Sequence, residues 1–212
     1  MEFESFQKLA RLSRECVITE KIDGTNGCIA IGDGGEFYVG SRSRWITLDD
    51  DNFGFARWAH ENKAELLKLG PGRHYGEWWG AGIQRRYGLS EKRFSLFNTH
   101  RWSDALGARP ACCHVVPVLA TGIFSSVMVE SVMLSLVEIG SHAAPGFMEP
   151  EGIVIFHTAA GHFFKKTIKG DEEGKHAEAH PPKPKIPRPP KDPSKGGRRI
   201  AQLPYEGPDK RK

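Results

Sequence analysis

Short runs of β-branched and other apolar residues predict β-structure over the first third of the chain. Gly, Asp and Asn separate these runs, which is typical of strands joined by tight turns. The predicted strands span 16–22, 27–32 and 36–42. A longer segment, 52–70, instead repeats apolar residues such as Phe55, Ala59 and Leu66 at helical spacing and ends at Gly70. It predicts an amphipathic helix closed by a C-terminal glycine.

The rest of the body combines further strand patterns with one more helix. Strand candidates are 73–80, 92–102 and 114–121, and the pair 151–158 and 161–170 has the pattern of a β-hairpin. Pro117 cannot donate a hydrogen bond, which assigns 114–121 to a sheet edge. Segment 124–140 has Ser residues before a Val/Met/Leu stripe and predicts a capped helix. The whole pattern predicts an α+β fold in which antiparallel sheets dominate.

Charge and proline are distributed unevenly along the chain. Residues 175–212 contain 11 Lys and Arg against 4 Asp and Glu, a charge of +7, and 9 of the 14 prolines. The other residues together have a charge of −3. Proline prevents both helix continuation and pairing in a central strand. The sequence therefore predicts a globular domain over 1–174 and a disordered basic tail over 175–212.

Composition excludes several classes of protein. The mean hydropathy is −0.45, and no stretch approaches 18 consecutive apolar residues, so we expect no membrane span. The N-terminal residues are charged and lack the apolar segment of a secretion signal. Four cysteines without metal or redox spacing suit reduced thiols. These features predict a cytoplasmic protein.

The segment most informative about chemistry is 20–27, which reads EKIDGTNG. Lys21 ends a predicted strand, and a glycine-bearing turn follows that brings the backbone close to whatever this lysine faces. The arrangement suits a nucleophilic amine beside a phosphate ligand. Taken alone, the segment is more typical of a β-turn with a surface lysine and a capping aspartate, because Lys-x-Asp-Gly also arises by chance.

Six segments in order resemble the motifs of the covalent nucleotidyltransferases, which include polynucleotide ligases and mRNA capping enzymes. Segment 20–27 is most similar to the RNA ligases, particularly the type-2 and RNA-editing group. The others are 41–44 (SRSR), 76–80 (GEWWG), 94–98 (FSLFN), 151–155 (EGIVI) and 164–167 (FKKT). The resemblance covers about residues 16–170. It implies the ATP-grasp-like nucleotidyltransferase domain of ligases, with antiparallel sheets and flanking helices.

The resemblance also implies a role for each motif in a reaction that uses ATP and Mg²⁺ or Mn²⁺. Lys21 would attack the α-phosphate of ATP and hold AMP as a phosphoramidate. Glu151 would bind the metal directly or through water, and Lys165 would neutralise charge on the reacting phosphate. Glu77 would bind the ribose hydroxyls, and Phe97 would stack on the adenine. Further ATP contacts are implied for Glu20, Ile22, Asp23, Asn26, Arg42 and Lys166.

Three features depart from the family pattern. Asn98 stands where many members have Asp after the stacking aromatic, which weakens a metal or base role there. The last motif usually has Lys-x-Lys, whereas this chain has Lys165, Lys166 and Thr167, so the second lysine stays open. Asp23 differs from the His of some type-2 RNA ligases and is closer to the pattern shared with DNA ligases.

Each candidate residue also has a structural explanation. A hairpin salt bridge accounts for Glu151 and Lys165, a core position accounts for Phe97, and a solvated face accounts for Arg42 and Arg44. These explanations suffice one residue at a time. The order of the six motifs favours the functional interpretation.

The sequence therefore predicts an ATP-dependent RNA ligase that forms lysyl-AMP, adenylylates an RNA 5′-phosphate and joins it to a 3′-OH. A minimal ATP-dependent DNA ligase and a non-sealing nucleotidyltransferase fold that binds nucleic acid remain alternatives. Neither an OB-fold nor a helical domain follows the motifs, so we expect a minimal, monomeric, stand-alone enzyme that acts on RNA and binds no membrane. The basic tail is either an electrostatic clamp for RNA or a solubilising extension.

Overall fold

Two β-sheets and three α-helices form the described part of the chain. The computed structural model describes residues 2–6, 8–103 and 109–170, all within one compact unit, Met1–Glu173. The strands are β1 (Glu15–Lys21), β2 (Thr25–Ile31), β3 (Phe37–Gly40), β4 (Gly72–Gly80), β5 (Lys92–Leu96), β6 (Cys113–Val115), β7 (Val118–Ile123), β8 (Gly152–His157) and β9 (His162–Thr167). The helices are α1 (Phe55–Glu61), α2 (Lys63–Leu66) and α3 (Ser126–Ile139). The tail predicted for 175–212 lies outside the described residues.

The fold is α+β with mainly antiparallel sheets, as the sequence predicts. One sheet has four strands in the order β7-β1-β8-β9, and the other has five in the order β3-β2-β4-β5-β6. All pairs are antiparallel except β5 with β6. The chain passes from the first sheet to the second between β1 and β2, at the EKIDGTNG segment. This crossing puts the motif where the two sheets meet.

Each sheet packs one face against a helix. The five-stranded sheet packs Ile29, Trp78 and Phe94 against Phe55 of α1. The four-stranded sheet packs a second cluster against α3, with Ile18, Ile153 and Leu136 among its buried members. Because side chains alternate along a strand, every second residue of β1 and β4 is left facing away from these cores. The candidate functional residues are drawn mainly from these other faces.

The predicted helix over 124–140 is confirmed as α3, but the predicted helix over 52–70 is divided. In α3, the Ser125 hydroxyl accepts a hydrogen bond from the Met128 amide, which is an N-cap. In 52–70, α1 ends at Asn62, whose side-chain amide donates to the Trp58 carbonyl. The segment resumes as α2 and a 3-10 turn and ends at Gly70, at a φ of 75°.

Two strand predictions need correction. The segment 114–121 is two strands in different sheets, because the chain leaves β6 at Val115 and begins β7 at Val118 on the far side of Pro117. Strand β7 is an edge strand, as the proline implied. The segment 92–102 forms a strand only to Leu96. Asn98 then accepts from the Arg101 and Trp102 amides and starts a turn.

No helix in the described ranges is both long enough and apolar enough to cross a membrane.

Candidate active site

Lys21 and Glu151 form a close ion pair at the end of β1. Lys21 is the last residue of β1 and is in register with Gly152, so Glu151 reaches the lysine from the neighbouring strand. The Lys21 Nζ lies 2.5 Å from the Glu151 Oε2, and the side chains are 23% and 17% exposed. The pair is therefore partly desolvated, which strengthens its electrostatic attraction relative to a surface pair.

Glycine is required next to the glutamate of this pair. Gly152 has a φ of 153°, and a Cβ there would lie 2.2 Å from the Lys166 carbonyl oxygen. Any larger residue would push β9 away from β8. The Glu-Gly sequence thus lets β9 approach the strand that presents Glu151.

Glu77 is a buried carboxylate held by the chain segment that follows Lys21. Its Oε1 accepts from the Gly24 amide at 3.1 Å and its Oε2 from the Asn26 side-chain amide at 2.9 Å. Asn26 and Glu77 are directly opposite each other in β2 and β4. A Cβ on Gly24 would lie 2.5 Å from the Trp78 carbonyl oxygen. Glycine is therefore what allows the turn after Lys21 to reach β4.

Burial raises the pKa of Glu77 to about 7. Lys21, Asn26 and Gly24 act in the opposite direction, and the charge of Glu151 raises this pKa further. These electrostatic effects require Lys21, Glu77 and Glu151 to lie near one another. Each Glu77 oxygen accepts one of the two hydrogen bonds that hold this side chain.

Arg85 and Tyr87 complete this group, and neither was predicted as a site residue. The Arg85 Nε donates to the Asp23 Oδ2 at 2.9 Å, and its Nη1 donates to the Glu149 carbonyl at 3.1 Å. The Tyr87 hydroxyl accepts from the Asp23 amide at 2.7 Å. The one signal for them in the sequence is the pair of arginines, Arg85 and Arg86, between the strand candidates 73–80 and 92–102. Their contacts to Asp23 lie more than 60 positions away in sequence and form only in three dimensions.

The two adjacent lysines of β9 lie on opposite faces of the four-stranded sheet. Lys165 is in register with Val154, and Val154 with Thr19, two residues before Lys21 on the same face. Lys166 is in register with Ile153, whose side chain belongs to the core beneath α3. Paired residues project to the same side of a sheet. Lys165 is therefore on the Lys21 face, whereas Lys166 is on the face with Glu20.

Two residues beside Lys21 direct their side chains away from it. Glu20 is 1% exposed, and its carboxylate accepts from the Ser141 hydroxyl at 2.6 Å and from the His142 and Ala143 amides at 2.8 Å. Ile22 is 4% exposed and packs in a cluster with Trp79. Alternation along the strand explains both positions. The Glu20 carboxylate holds the 141–144 turn.

The remaining predicted residues lie around the group formed by Lys21, Glu77 and Glu151. Phe97 follows β5, is 37% exposed, and donates its amide to the Tyr75 carbonyl. Arg42 is exposed and has no ion-pair partner among the described residues. Its neighbour Arg44 instead pairs with Asp50. Asn98 uses its side-chain oxygen to accept the Arg101 amide, so its role in the structure is to shape a turn.

The chemistry of this group fits a magnesium nucleotide better than a metal held by protein alone. Across the described residues, no three His, Cys, Asp or Glu side chains converge on one point. Mg²⁺ commonly binds through one or two carboxylates while substrate phosphates and water complete its coordination. Glu151, partly exposed and beside a lysine, has the oxygen donors for such a site.

Comparisons with known proteins point in one direction. The family model for RNA ligases matches residues 14–169. Solved structures of Naegleria gruberi RNA ligase resemble the fold. A ligand-free R4a variant has a TM-score of 0.56 at 20% identity over 73% of this chain and 50% of that one. A variant with AMP and Mn has a TM-score of 0.56 and 18% sequence identity, over 74% of this chain and 50% of that one. A variant with ATP and Mn has a TM-score of 0.57 and 20% sequence identity, over 74% of this chain and 50% of that one.

This chain spans about half the length of those solved ligases. A comparison with curated protein sequences found no match. The family match nevertheless runs from just before β1 to just after β9 and includes every element of both sheets. The chain therefore belongs to the RNA ligase family.

Proposed function

We propose that this chain is an ATP-dependent RNA ligase whose nucleophile is Lys21. The observation that supports this most strongly is the 2.5 Å Lys21–Glu151 pair beside the buried Glu77. A lysine that only stabilises the fold has no need of two nearby carboxylates from distant parts of the chain and a glycine-bearing turn after it. A lysine that reacts with a phosphate needs both an orienting group and space for the nucleotide.

In the proposed first step, the Lys21 Nζ attacks the α-phosphorus of ATP. The Lys21 ammonium first passes one proton to Glu151 or to water, because only the neutral amine has a lone pair. An N–P bond then forms, the bond from the α-phosphorus to the bridging oxygen breaks, pyrophosphate leaves, and a second proton passes from the nitrogen to solvent. The AMP then moves to an RNA 5′-phosphate, which restores the lysine. Attack by a 3′-OH on that phosphate forms the phosphodiester and releases AMP. Glu151 orients Lys21 before ATP binds, since it is the carboxylate in direct contact with its Nζ.

The adenosine part of ATP would bind against the five-stranded sheet. Glu77 and Asn26 present a carboxylate and an amide side by side, which suits the two hydroxyls of a ribose. Phe97 lies on the same face of that sheet and exposes its ring for stacking on adenine. Arg42 and Lys165 would contact phosphate. We assign no nucleotide contact to the side chains of Glu20 and Ile22, which are turned into the protein.

Glu151 would hold Mg²⁺ or Mn²⁺ together with the phosphates. The divalent ion, when bound, supplies positive charge that stabilises the phosphate oxygens. Asp23 contributes less to such a site, because its Oδ2 is bound by Arg85. We expect Arg85 to fix the turn after Lys21 relative to the segment that leads into Glu151.

The variants solved for the Naegleria gruberi ligase support these assignments by their spacing. They replace a lysine, an aspartate two positions after it, and a glutamate and a lysine fourteen positions apart. Lys21 and Asp23 have the first spacing, and Glu151 and Lys165 have the second. Structures of that ligase contain ATP with Mn and AMP with Mn. We extend the same ligands to this chain as part of the proposal.

The test is covalent labelling with ATP that is radioactive at the α-phosphate, in the presence of Mg²⁺. We expect label on the wild-type protein and none on Lys21→Arg, because a guanidinium keeps the ion pair with Glu151 but stays protonated and cannot attack. Lys68→Ala is the matched control, since Lys68 is an exposed lysine paired with Glu65 on the 3-10 turn. Label that persists on Lys21→Arg would rule out the proposed nucleophile.

A chase of the labelled protein with nicked duplexes separates the functional alternatives. All-RNA, hybrid and all-DNA nicks are offered in parallel. Sealing of nicks with RNA strands supports the RNA ligase, and sealing of all-DNA nicks alone would identify a DNA ligase. Covalent AMP that never reaches any strand would identify a nucleotidyltransferase that does not ligate.

A further inference from the structure

One face of the five-stranded sheet exposes aromatic rings that extend outward from the candidate nucleotide site. Tyr38, Trp45 and Tyr75 are 52%, 51% and 51% exposed, and Phe97 is 37% exposed. They come from four different parts of the chain. The opposite face of the same sheet is the main hydrophobic core, so these rings are not required to fill that core.

Strand register puts the rings in two adjacent rows. The first row runs across the sheet from Phe97 through Tyr75, Cys28 and Gly40, where a β-bridge adds Trp45. It lies two residues along the strands from the pair Glu77 and Asn26, on the same face of the sheet. With strands about 4.8 Å apart, the first row spans roughly 19 Å. Phe97, assigned to adenine, is thus the first member of a longer aromatic surface.

The second row contributes positive charge as well as a ring. It contains Arg73, Ala30 and Tyr38, which lie two more residues along the strands from Glu77 than the first row does. The Arg73 guanidinium lies 5.9 Å from the centre of the Trp45 ring, and the Tyr38 and Trp45 ring centres are 5.6 Å apart. The acidic residue at the far end, Glu36, has its carboxylate bound to the Gly34 amide.

Two small residues, Gly40 and Ala30, lie next to these rings in the two rows. The ring of Trp45 lies over Gly40, where a Cβ would come within 3.1 Å of it. Ala30 separates Arg73 from Tyr38 in the second row. Tyr38 and Arg73 lie against Trp45, yet Tyr38, Trp45 and Tyr75 each keep about half of their surface exposed. We define these three residues and Arg73 as the aromatic platform.

We propose that the aromatic platform binds the bases of single-stranded RNA next to the reacting phosphate. This inference rests on the proposed function, because it extends the adenylate site along the same sheet face. Aromatic rings with an interspersed guanidinium are the surface that single-stranded nucleic acids stack on, and such stacking tolerates any base sequence.

The test uses leucine variants, which keep apolar bulk over Gly40 and Ala30 but remove the π-face. Tyr38→Leu and Trp45→Leu are compared with Phe164→Leu, a ring of similar exposure (54%) on β9 of the other sheet, on the face opposite Lys21. The probe is a fluorescent 5′-phosphorylated RNA of about 12 nucleotides, titrated without ATP. A second probe has the same sugar–phosphate backbone with abasic positions.

We expect each platform variant to bind the RNA about tenfold more weakly, since base stacking on one ring contributes on this scale. Phe164→Leu should bind as the wild type does. On the abasic strand, the wild type and the platform variants should bind equally, because no base is left to stack. Covalent AMP labelling of the variants should stay at the wild-type level, so failure of this inference is distinguishable from failure of the ligase assignment.

Three results would overturn the inference. The first is wild-type RNA affinity in the Tyr38→Leu, Trp45→Leu double variant with an unchanged unfolding midpoint. The second is an equal loss of affinity on the abasic strand, which would assign the effect to the backbone. The third is a change of oligomeric state in the variants with unchanged RNA affinity, which would identify the platform as a protein interface.

Discussion

Arg85 binds Asp23 across 62 positions of sequence, with its Nε 2.9 Å from the Asp23 Oδ2. The same guanidinium donates to the carbonyl of Glu149, two residues before Glu151. One side chain therefore links the turn after Lys21 to the segment before its carboxylate partner. The loop that holds Arg85 adopts left-handed backbone at Gln84, Arg86 and Tyr87, with φ of 43°, 59° and 51°. Backbone strain of this kind persists where surrounding contacts fix it.

We expect Arg85→Ala to slow self-adenylylation by roughly 10- to 100-fold, because a small displacement of reacting groups has effects of this size. Stability should fall by only about 1 kcal/mol, since the Arg85–Asp23 pair is partly exposed. Single-turnover labelling at saturating ATP measures the rate, and chemical denaturation measures the stability.

Arg86→Ala is the control for Arg85, because it removes a neighbouring exposed arginine from the same loop. It should label at close to the wild-type rate. Equal slowing in both variants would attribute the effect to the loop as a whole and contradict a specific linking role.

The opposite orientations of Lys165 and Lys166 give a second prediction. Lys165→Ala should slow AMP transfer to Lys21 by roughly 100-fold or more, which is the usual cost of removing a group that stabilises a transition state. Lys166→Ala should have a much smaller effect on the rate, because its side chain leaves the sheet on the Glu20 face. Rates at saturating ATP separate this effect from nucleotide affinity. Equal rates in the two variants would contradict the assignment from strand register.

The raised pKa of Glu77 predicts a pH-dependent cost to stability. The pKa is about 7 in the folded protein against 4.5 for the ordinary carboxyl. Between these values, the folded state binds more protons than the unfolded state, so this group makes stability fall as the pH rises from about 4.5 to about 7. The loss is up to roughly 3 kcal/mol and is constant at higher pH.

Glu77→Gln should remove this contribution, because glutamine does not titrate. Denaturation of both proteins at intervals from about pH 5 to about pH 8 gives the difference in the free energy of unfolding. We expect the free energy of unfolding of the variant, relative to that of the wild type, to increase as the pH rises. A difference that does not change with pH would mean that Glu77 titrates at its ordinary pKa.

The charge of +7 in 175–212 predicts that this segment acts as an electrostatic clamp for RNA. Deletion of 181–212 should leave covalent AMP labelling unchanged, because the candidate site lies within the described residues. RNA affinity should fall, and the slope of log K against log salt should decrease by about 3, given roughly 0.7 per lost contact on single strands and four or five contacts. An unchanged salt slope would assign the tail to solubility.

Salt dependence also separates the tail from the aromatic platform. Phosphate contacts release counterions and so depend on salt, whereas base stacking has no such requirement. The leucine variants of the platform should therefore lose affinity without a change of slope, and the truncated protein should lose both.

Local signals in the sequence were sufficient for much of the fold. Short β-rich runs separated by Gly, Asp and Asn predicted β1 and β2, and strand and hairpin patterns further along predicted β4, β8 and β9. The serine cap and apolar stripe predicted α3. The helix expected over 52–70 breaks at Asn62, where a side-chain contact to Trp58 competes with helix continuation. The split of 114–121 between two sheets depends on strands elsewhere in the chain, which no local pattern describes.

The sequence by itself determined which residues are candidates for chemistry: Lys21, Glu77 and Glu151 were identifiable as candidates because reactive groups sit in short motifs with fixed neighbours. The tertiary structure alone decided how those motifs face one another. It placed Arg85 on Asp23, turned the Glu20 carboxylate to the 141–144 turn, separated Lys165 from Lys166, and joined Phe97 to Tyr75 and Trp45 in one row. These relationships are set by strand register and packing between distant segments, and register follows from the whole sheet rather than from any one strand.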